Sequence, residues 1–116
     1  EFRQWLERTG MPLMPWSSQA RGFFAGRADP DDRTTDPELV RCWYADDNFQ
    51  RLDRANELAD RYGVPTIAIA LAYVLAQPFP TFPLIGPRSL TETRTSLQAL
   101  DVELSEQEIA WLNLDA

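Results

Sequence analysis

Gly86-Pro87-Arg88-Ser89, followed by Glu92, combines a turn, a cation and a helix start, and that combination can hold an anion. Leu84 and Ile85 read as the end of a buried strand, Gly86 and Pro87 turn the chain, and Ser89 with Glu92 spells an S-x-x-E capping box. The free N–H groups of a first helical turn, with Arg88 beside them, make a phosphate site. The same residues are also ordinary punctuation between a strand and a helix. A second corner of similar make, Pro15-Trp16-Ser17-Ser18-Gln19-Ala20-Arg21-Gly22, lies far upstream.

The elements that must position these corners follow from periodicity. Phe2, Trp5 and Leu6 share one face of a helix that Gly10 closes. Met11 to Trp16 is a short apolar run with prolines at its ends, read as a strand, and Pro80 to Ile85 is read as a second one. After Phe23 and Phe24 comes a polar segment, residues 26–35, long enough to be functional or mobile. Asp36-Pro37 is an N-cap followed by proline at the first helical position, opening a helix through Leu39, Val40 and Trp43. Asp46 or Asp47 opens a longer helix that Gly63 ends, with Phe49, Leu52, Ala55, Leu58, Ala59 and Tyr62 at helical spacing. The run Ile67 to Ala76 is apolar on every side and predicts a helix buried all round. A helix from Ser89 or Leu90 to Leu100 is expected to turn Leu90, Leu97 and Leu100 inward. Ser105 with Glu108 caps a terminal helix carrying Ile109, Leu112 and Leu114.

Two short strands, each followed by helix, read as βα units of a parallel sheet. A two-stranded parallel sheet cannot stand alone, so the chain is expected to need strands from elsewhere or to self-associate through unpaired edges.

Composition narrows the chemistry. The chain of 116 residues is 44% apolar and 25% charged, which fits one domain or part of a larger one, and no apolar run reaches the length of a transmembrane helix. A net charge of −7, with every basic residue an arginine, argues against a nucleic-acid surface. With no signal-peptide pattern at its start, the chain is expected in the cytoplasm, free of membrane. The lone Cys42 excludes an internal disulfide and a multi-thiolate metal site, and the absence of histidine removes the commonest acid/base and metal ligand. No metal site is expected. The start at Glu1-Phe2-Arg3, without methionine, suggests a piece of something longer.

The two corners resemble the C-terminal part of the aldo-keto reductases, a (β/α)8-barrel family that uses a nicotinamide dinucleotide. Trp16-Ser17-Ser18-Gln19-Ala20-Arg21-Gly22 resembles the family's aromatic-Ser-Pro-Leu-x-x-Gly segment after the seventh barrel strand. Leu84-Ile85-Gly86-Pro87-Arg88-Ser89 resembles its Ile-Pro-Gly-x-Arg segment after the eighth. Ile69 to Leu75 is similar to the Ala-Leu-Ala-Trp-x-Leu helix, and Ala99 to Ser105 to the Ala-x-Asp-x-x-Leu-(Ser/Thr) junction. The resemblance implies an α/β fold: a partial (β/α)8 TIM barrel, helix-rich, with two parallel strands. Residues 1–116 would be a single C-terminal segment and not a complete domain.

It implies NADP binding, site by site. Trp16 would stack on the nicotinamide, although a tryptophan at a strand end is equally a core residue. Ser17, Gln19 and Arg21 would line the pyrophosphate. Gly86, Arg88 and Ser89 would form the adenosine 2′-phosphate corner, with Arg88 favouring NADP over NAD. Glu92 and Ser96 would face the ribose phosphate and adenine, with the capping box as the competing role for Glu92. Ser18-Gln19 in place of Pro-Leu, and Thr95-Ser96 in place of Glu-Asn, depart from the family's pattern. No residue aligns with the family's catalytic Asp, Tyr, Lys and His, so no catalytic residue is assigned here. The implied function is the cofactor-binding part of an NADP-dependent oxidoreductase that reduces aldehydes or ketones. Its partner would be the missing barrel half. The alternatives are a non-catalytic dinucleotide-binding or interaction module of the same fold, and a small helical protein in which the motifs are remnants.

Overall fold

Prolines at 12, 15, 80 and 83 decide how far the two apolar runs can pair. A computed structural model, which describes residues 1–17 and 19–115, places the runs side by side in parallel. The Leu13 N–H donates to the Pro80 carbonyl at 2.8 Å, the Phe82 N–H to the Leu13 carbonyl at 2.8 Å, and the Leu84 N–H to the Pro15 carbonyl at 3.1 Å. The next rung would need an N–H from Pro15, which has none. Pairing therefore stops at one isolated parallel bridge, Leu13 to Thr81. The expected pair of parallel strands within a partial α/β barrel is thus corrected: among the described residues the chain is helical, with no strand longer than this bridge.

Among the described residues six α-helices carry the fold: α1 (Phe2–Thr9), α2 (Pro37–Trp43), α3 (Asp46–Tyr62), α4 (Thr66–Leu75), α5 (Leu90–Leu97) and α6 (Glu106–Leu112). Two 3-10 helices, Ala20–Ala25 and Gln98–Asp101, join them. The local signals set most of these ends. Gly10 and Gly63 close α1 and α3 in the left-handed conformation, each at φ 66°. Asp36 accepts a hydrogen bond from the Leu39 N–H, and Ser105 and Glu108 form both halves of a capping box.

The core gathers around α4. Ala68, Ile69, Leu71 and Ala72 pack with Ala55, Leu58 and Ala59 of α3, with Ala99 and Leu104, and with Leu112 of α6. The expected burial of α4 on all sides holds only for its middle, since Leu75 at its end is exposed. A smaller cluster joins Ala20, Phe23 and Leu39, with the Phe23, Tyr44 and Phe49 rings in mutual contact. The helix after Ser89 turns opposite to expectation. Leu90, Leu97 and Leu100 are 75%, 51% and 70% exposed, while Ser96 and Ala99 are buried. Small side chains let this segment approach α4 closely, and the leucines are left outside. In α1, likewise, only Leu6 is buried, while Phe2 and Trp5 stack on each other in solvent. No single helix is long and apolar enough to cross a membrane among the described residues.

Candidate functional site

The start of α5 carries the Ser89 cap that the sequence spells, but not the other half of the expected capping box, because Glu92 bonds the Arg88 N–H rather than the Ser89 N–H. Ser89 Oγ accepts from the Glu92 N–H at 3.2 Å, and Glu92 Oε2 accepts from the Arg88 N–H at 2.5 Å. This pair of hydrogen bonds has a chemical consequence. Two N–H groups expected to face a phosphate are already satisfied within the protein, and one is held by a carboxylate. Glu92 is thus an internal competitor for any anion at this corner.

Gly86 and Glu92 open onto a cleft of about 660 Å³ that also takes in Gln19, Thr91, Thr95 and Ser96. Across it, the Gln19 amide donates to Ser96 Oγ at 3.2 Å, tying the first corner to the second. Ser96 is only 4% exposed, so that hydroxyl is fixed in the wall. Gly86 does not adopt a positive φ, and a Cβ built on it would meet nothing within 4 Å. Its turn would accept other residues; what glycine provides is open space.

The opposite wall was not anticipated from the sequence. Pro65, Thr66 and Ile67 bring the N-terminus of α4 to the cleft, beside Asn56. That terminus has no side-chain cap, and Thr66 Oγ1 instead donates to Asn56 Oδ1 at 2.7 Å. An uncapped ten-residue helix directs its N–H groups and the positive end of its dipole at whatever fills the space. Val64-Pro65-Thr66 marks the helix start in the sequence, but nothing in it says which cavity that start faces.

The other expected residues lie elsewhere. Trp16 and Ser17 border a separate, smaller cavity, with Trp16 87% exposed and Ser17 at φ 54°. Arg21, also left-handed at φ 53°, approaches Asp36 at 3.6 Å, and Arg27 joins the same carboxylate at 3.0 Å. The Leu39 N–H at the helix start, together with these two guanidiniums, holds the Asp36 carboxyl below its usual range. Arg88 and Ser89 are exposed and border neither cavity. Ser18 lies outside the described residues. The structure therefore unites Gln19, Gly86, Glu92 and Ser96 on one cleft, keeps Arg88 and Ser89 in contact with Glu92 but off the cleft lining, and leaves Trp16, Ser17 and Arg21 apart from them. No group of three or more metal-ligating side chains occurs among the described residues.

Comparison with known proteins bears on the whole of this arrangement. The chain is 29% identical over 104 residues to the uncharacterized oxidoreductase YrpG of Bacillus subtilis, covering 90% of this chain and 32% of that protein. It is 27% identical over 109 residues to YFL057C of Saccharomyces cerevisiae, whose name as an aryl-alcohol dehydrogenase is provisional, covering 89% of this chain and 72% of that protein. It is 33% identical over 111 residues to norsolorinic acid reductase stcV of Emericella nidulans, covering 94% of this chain and 27% of that protein. The chain thus spans about a third of the length of YrpG and less of stcV. The aldo/keto reductase family model matches residues 1–113, taking in both corners and the core between them. The chain belongs to the aldo/keto reductase family, whose members are oxidoreductases that generally use nicotinamide cofactors.

Proposed function

We propose that this chain supplies the dinucleotide-binding part of an NADP-dependent oxidoreductase acting on an aldehyde or ketone. The observation that carries the reading is the cleft between Gln19 and the segment 86–96, where residues from the two corners meet. Its chemistry suits the adenosine end of a dinucleotide. Gly86 leaves room for a phosphate or ribose, Ser96 and Gln19 offer a fixed hydroxyl and amide, and the α4 N-terminus adds a positive dipole end. Arg88, exposed beside the cleft mouth, would reach the 2′-phosphate by rotating its side chain. Trp16 would meet the nicotinamide ring.

Bound, the nicotinamide supplies or accepts a hydride. Reduction of a carbonyl also needs a proton donor at the developing alkoxide, and a chain without lysine or histidine offers neither of two common donors. The donor would come from further polypeptide, in keeping with the larger size of the relatives. A non-catalytic dinucleotide-binding module is the second reading, favoured by the same lack of lysine and histidine. An aromatic carbonyl is the substrate class suggested by the aryl-alcohol dehydrogenase name of one relative.

The test is titration of the purified chain with NADPH, following cofactor fluorescence, with NADH and Arg88→Ala in parallel. Saturable NADPH binding, at least tenfold tighter than NADH and weakened about tenfold or more by the substitution, is expected for a charge-assisted phosphate contact. Equal affinities for the two nucleotides would refute the NADP assignment. Absence of any binding would refute the site.

A further inference from the structure

The second cavity, of about 320 Å³, is separate from the dinucleotide cleft, and Phe24 is the one residue that borders both. Its walls include Phe23, Phe24, Trp43 and Tyr73, and its floor is Ile69 and Ala70 of α4. Among the described residues Arg51 is the sole charged one on its lining, in a chain whose net charge is −7. That guanidinium is positioned by a relay. Asn48 Nδ2 donates to the Trp43 carbonyl at 2.8 Å, which leaves Asn48 Oδ1 to accept from Arg51 Nη1 at 3.0 Å. Among the described residues Arg51 makes no ion pair. A half-buried cation without a carboxylate, at the edge of an aromatic cavity, complements a ligand with flat rings and one negative charge. The volume lies at the small end of ligand pockets and suits a bicyclic ring system.

We propose that this cavity binds a flat aromatic monoanion of the carboxylate class, with its rings among Phe24, Trp43 and Tyr73 and its carboxylate on Arg51. Trp16 and Ser17 also border this cavity, so a nicotinamide ring on Trp16 would lie beside the aromatic ligand, while Arg51 takes no part in the dinucleotide reading. The test titrates the chain with 2-naphthoate and with its neutral counterpart 2-naphthalenemethanol, following calorimetry and tryptophan fluorescence, with Arg51→Gln and Ala70→Leu in parallel. The naphthoate should bind at least tenfold tighter than the alcohol. Arg51→Gln should bring it to the alcohol's level without changing NADPH binding, and Ala70→Leu should abolish both ligands by filling the floor. Equal affinity for the two probes, or naphthoate affinity unchanged in Arg51→Gln, would overturn the proposal. Arg51→Gln decides even where Ala70→Leu fails to fold, because its side chain lies outside the core clusters.

Discussion

Replacing Glu108 with alanine removes the contacts that pin α6 to α3, and each of them can be priced from its geometry. Glu108 Oε2 accepts from the Ser105 N–H at 2.9 Å and from the Tyr62 hydroxyl at 2.8 Å, and Oε1 meets Arg61 at 3.3 Å. The reciprocal half of a capping box is worth about 0.5–1 kcal/mol. A hydroxyl donated to a carboxylate contributes more, but Tyr62 also reaches the Glu103 carbonyl at 2.9 Å, so its loss costs about 1 kcal/mol. Arg61 is 56% exposed, and its pair adds at most about 0.5 kcal/mol. The total is about 2 kcal/mol, or roughly 6–12 °C in Tm for a chain of this size. Glu108→Gln, which keeps an acceptor but not the charge, should lose about half as much. Burial pushes the Glu108 carboxyl upward, but the Ser105 and Tyr62 hydrogen bonds and Arg61 together outweigh it and hold it below the usual range. A lowered folded value means the contribution is complete above the ordinary carboxylate range and is lost as pH falls through that lowered value. Urea denaturation at pH 7 and at pH 3 reads both effects. A Glu108→Ala chain within about 0.5 kcal/mol of the parent at pH 7, or a gap between the parent and Glu108→Gln as wide at pH 3 as at pH 7, would overturn this assignment.

Three further outcomes follow from the cleft and its corners. Glu92→Gln keeps an acceptor for the Arg88 N–H while removing the competing charge, so NADPH affinity should rise about threefold to tenfold at low salt and converge with the parent at 1 M salt; titration across ionic strength checks it. Gly86→Ala should leave thermal stability unchanged and weaken NADPH, because the new methyl group enters open space at the cleft wall; paired melting and binding curves separate the two effects. Gly22→Ala should cost about 1–2 kcal/mol in urea denaturation, since Gly22 sits at φ 85° and the added Cβ would lie 2.5 Å from Arg27 Cδ, driving Arg27 off Asp36.

What could be read from the residues divides by range. Asp36-Pro37 and Ser105 with Glu108 open helices, and Gly10 and Gly63 close them, each acting within one turn of backbone. The pairing of Leu13 with Thr81 was legible as two apolar runs, but its length was set by which prolines faced a carbonyl, a matter of register that spacing does not reveal. Leu90, Leu97 and Leu100 form a helical stripe whose partner is absent among the described residues, so periodicity named the wrong face. At the site, Gln19 and Ser96 met although 77 positions apart, while Trp16 and Arg21 turned away because left-handed residues at 17, 20 and 21 redirect the chain between them. The α4 N-terminus was invisible as a wall because a helix start carries no mark of what it faces.

Occupation of the cleft between Gln19 and the segment 86–96 by a dinucleotide can be read from amide chemical shifts of the ¹⁵N-labelled chain during addition of NADP⁺. Saturable shifts are expected at Gln19, Thr66, Ile67, Gly86, Thr95 and Ser96, with the amides of the α3–α6 contact unmoved. Shifts confined to other surfaces, or none at saturating cofactor, would contradict it.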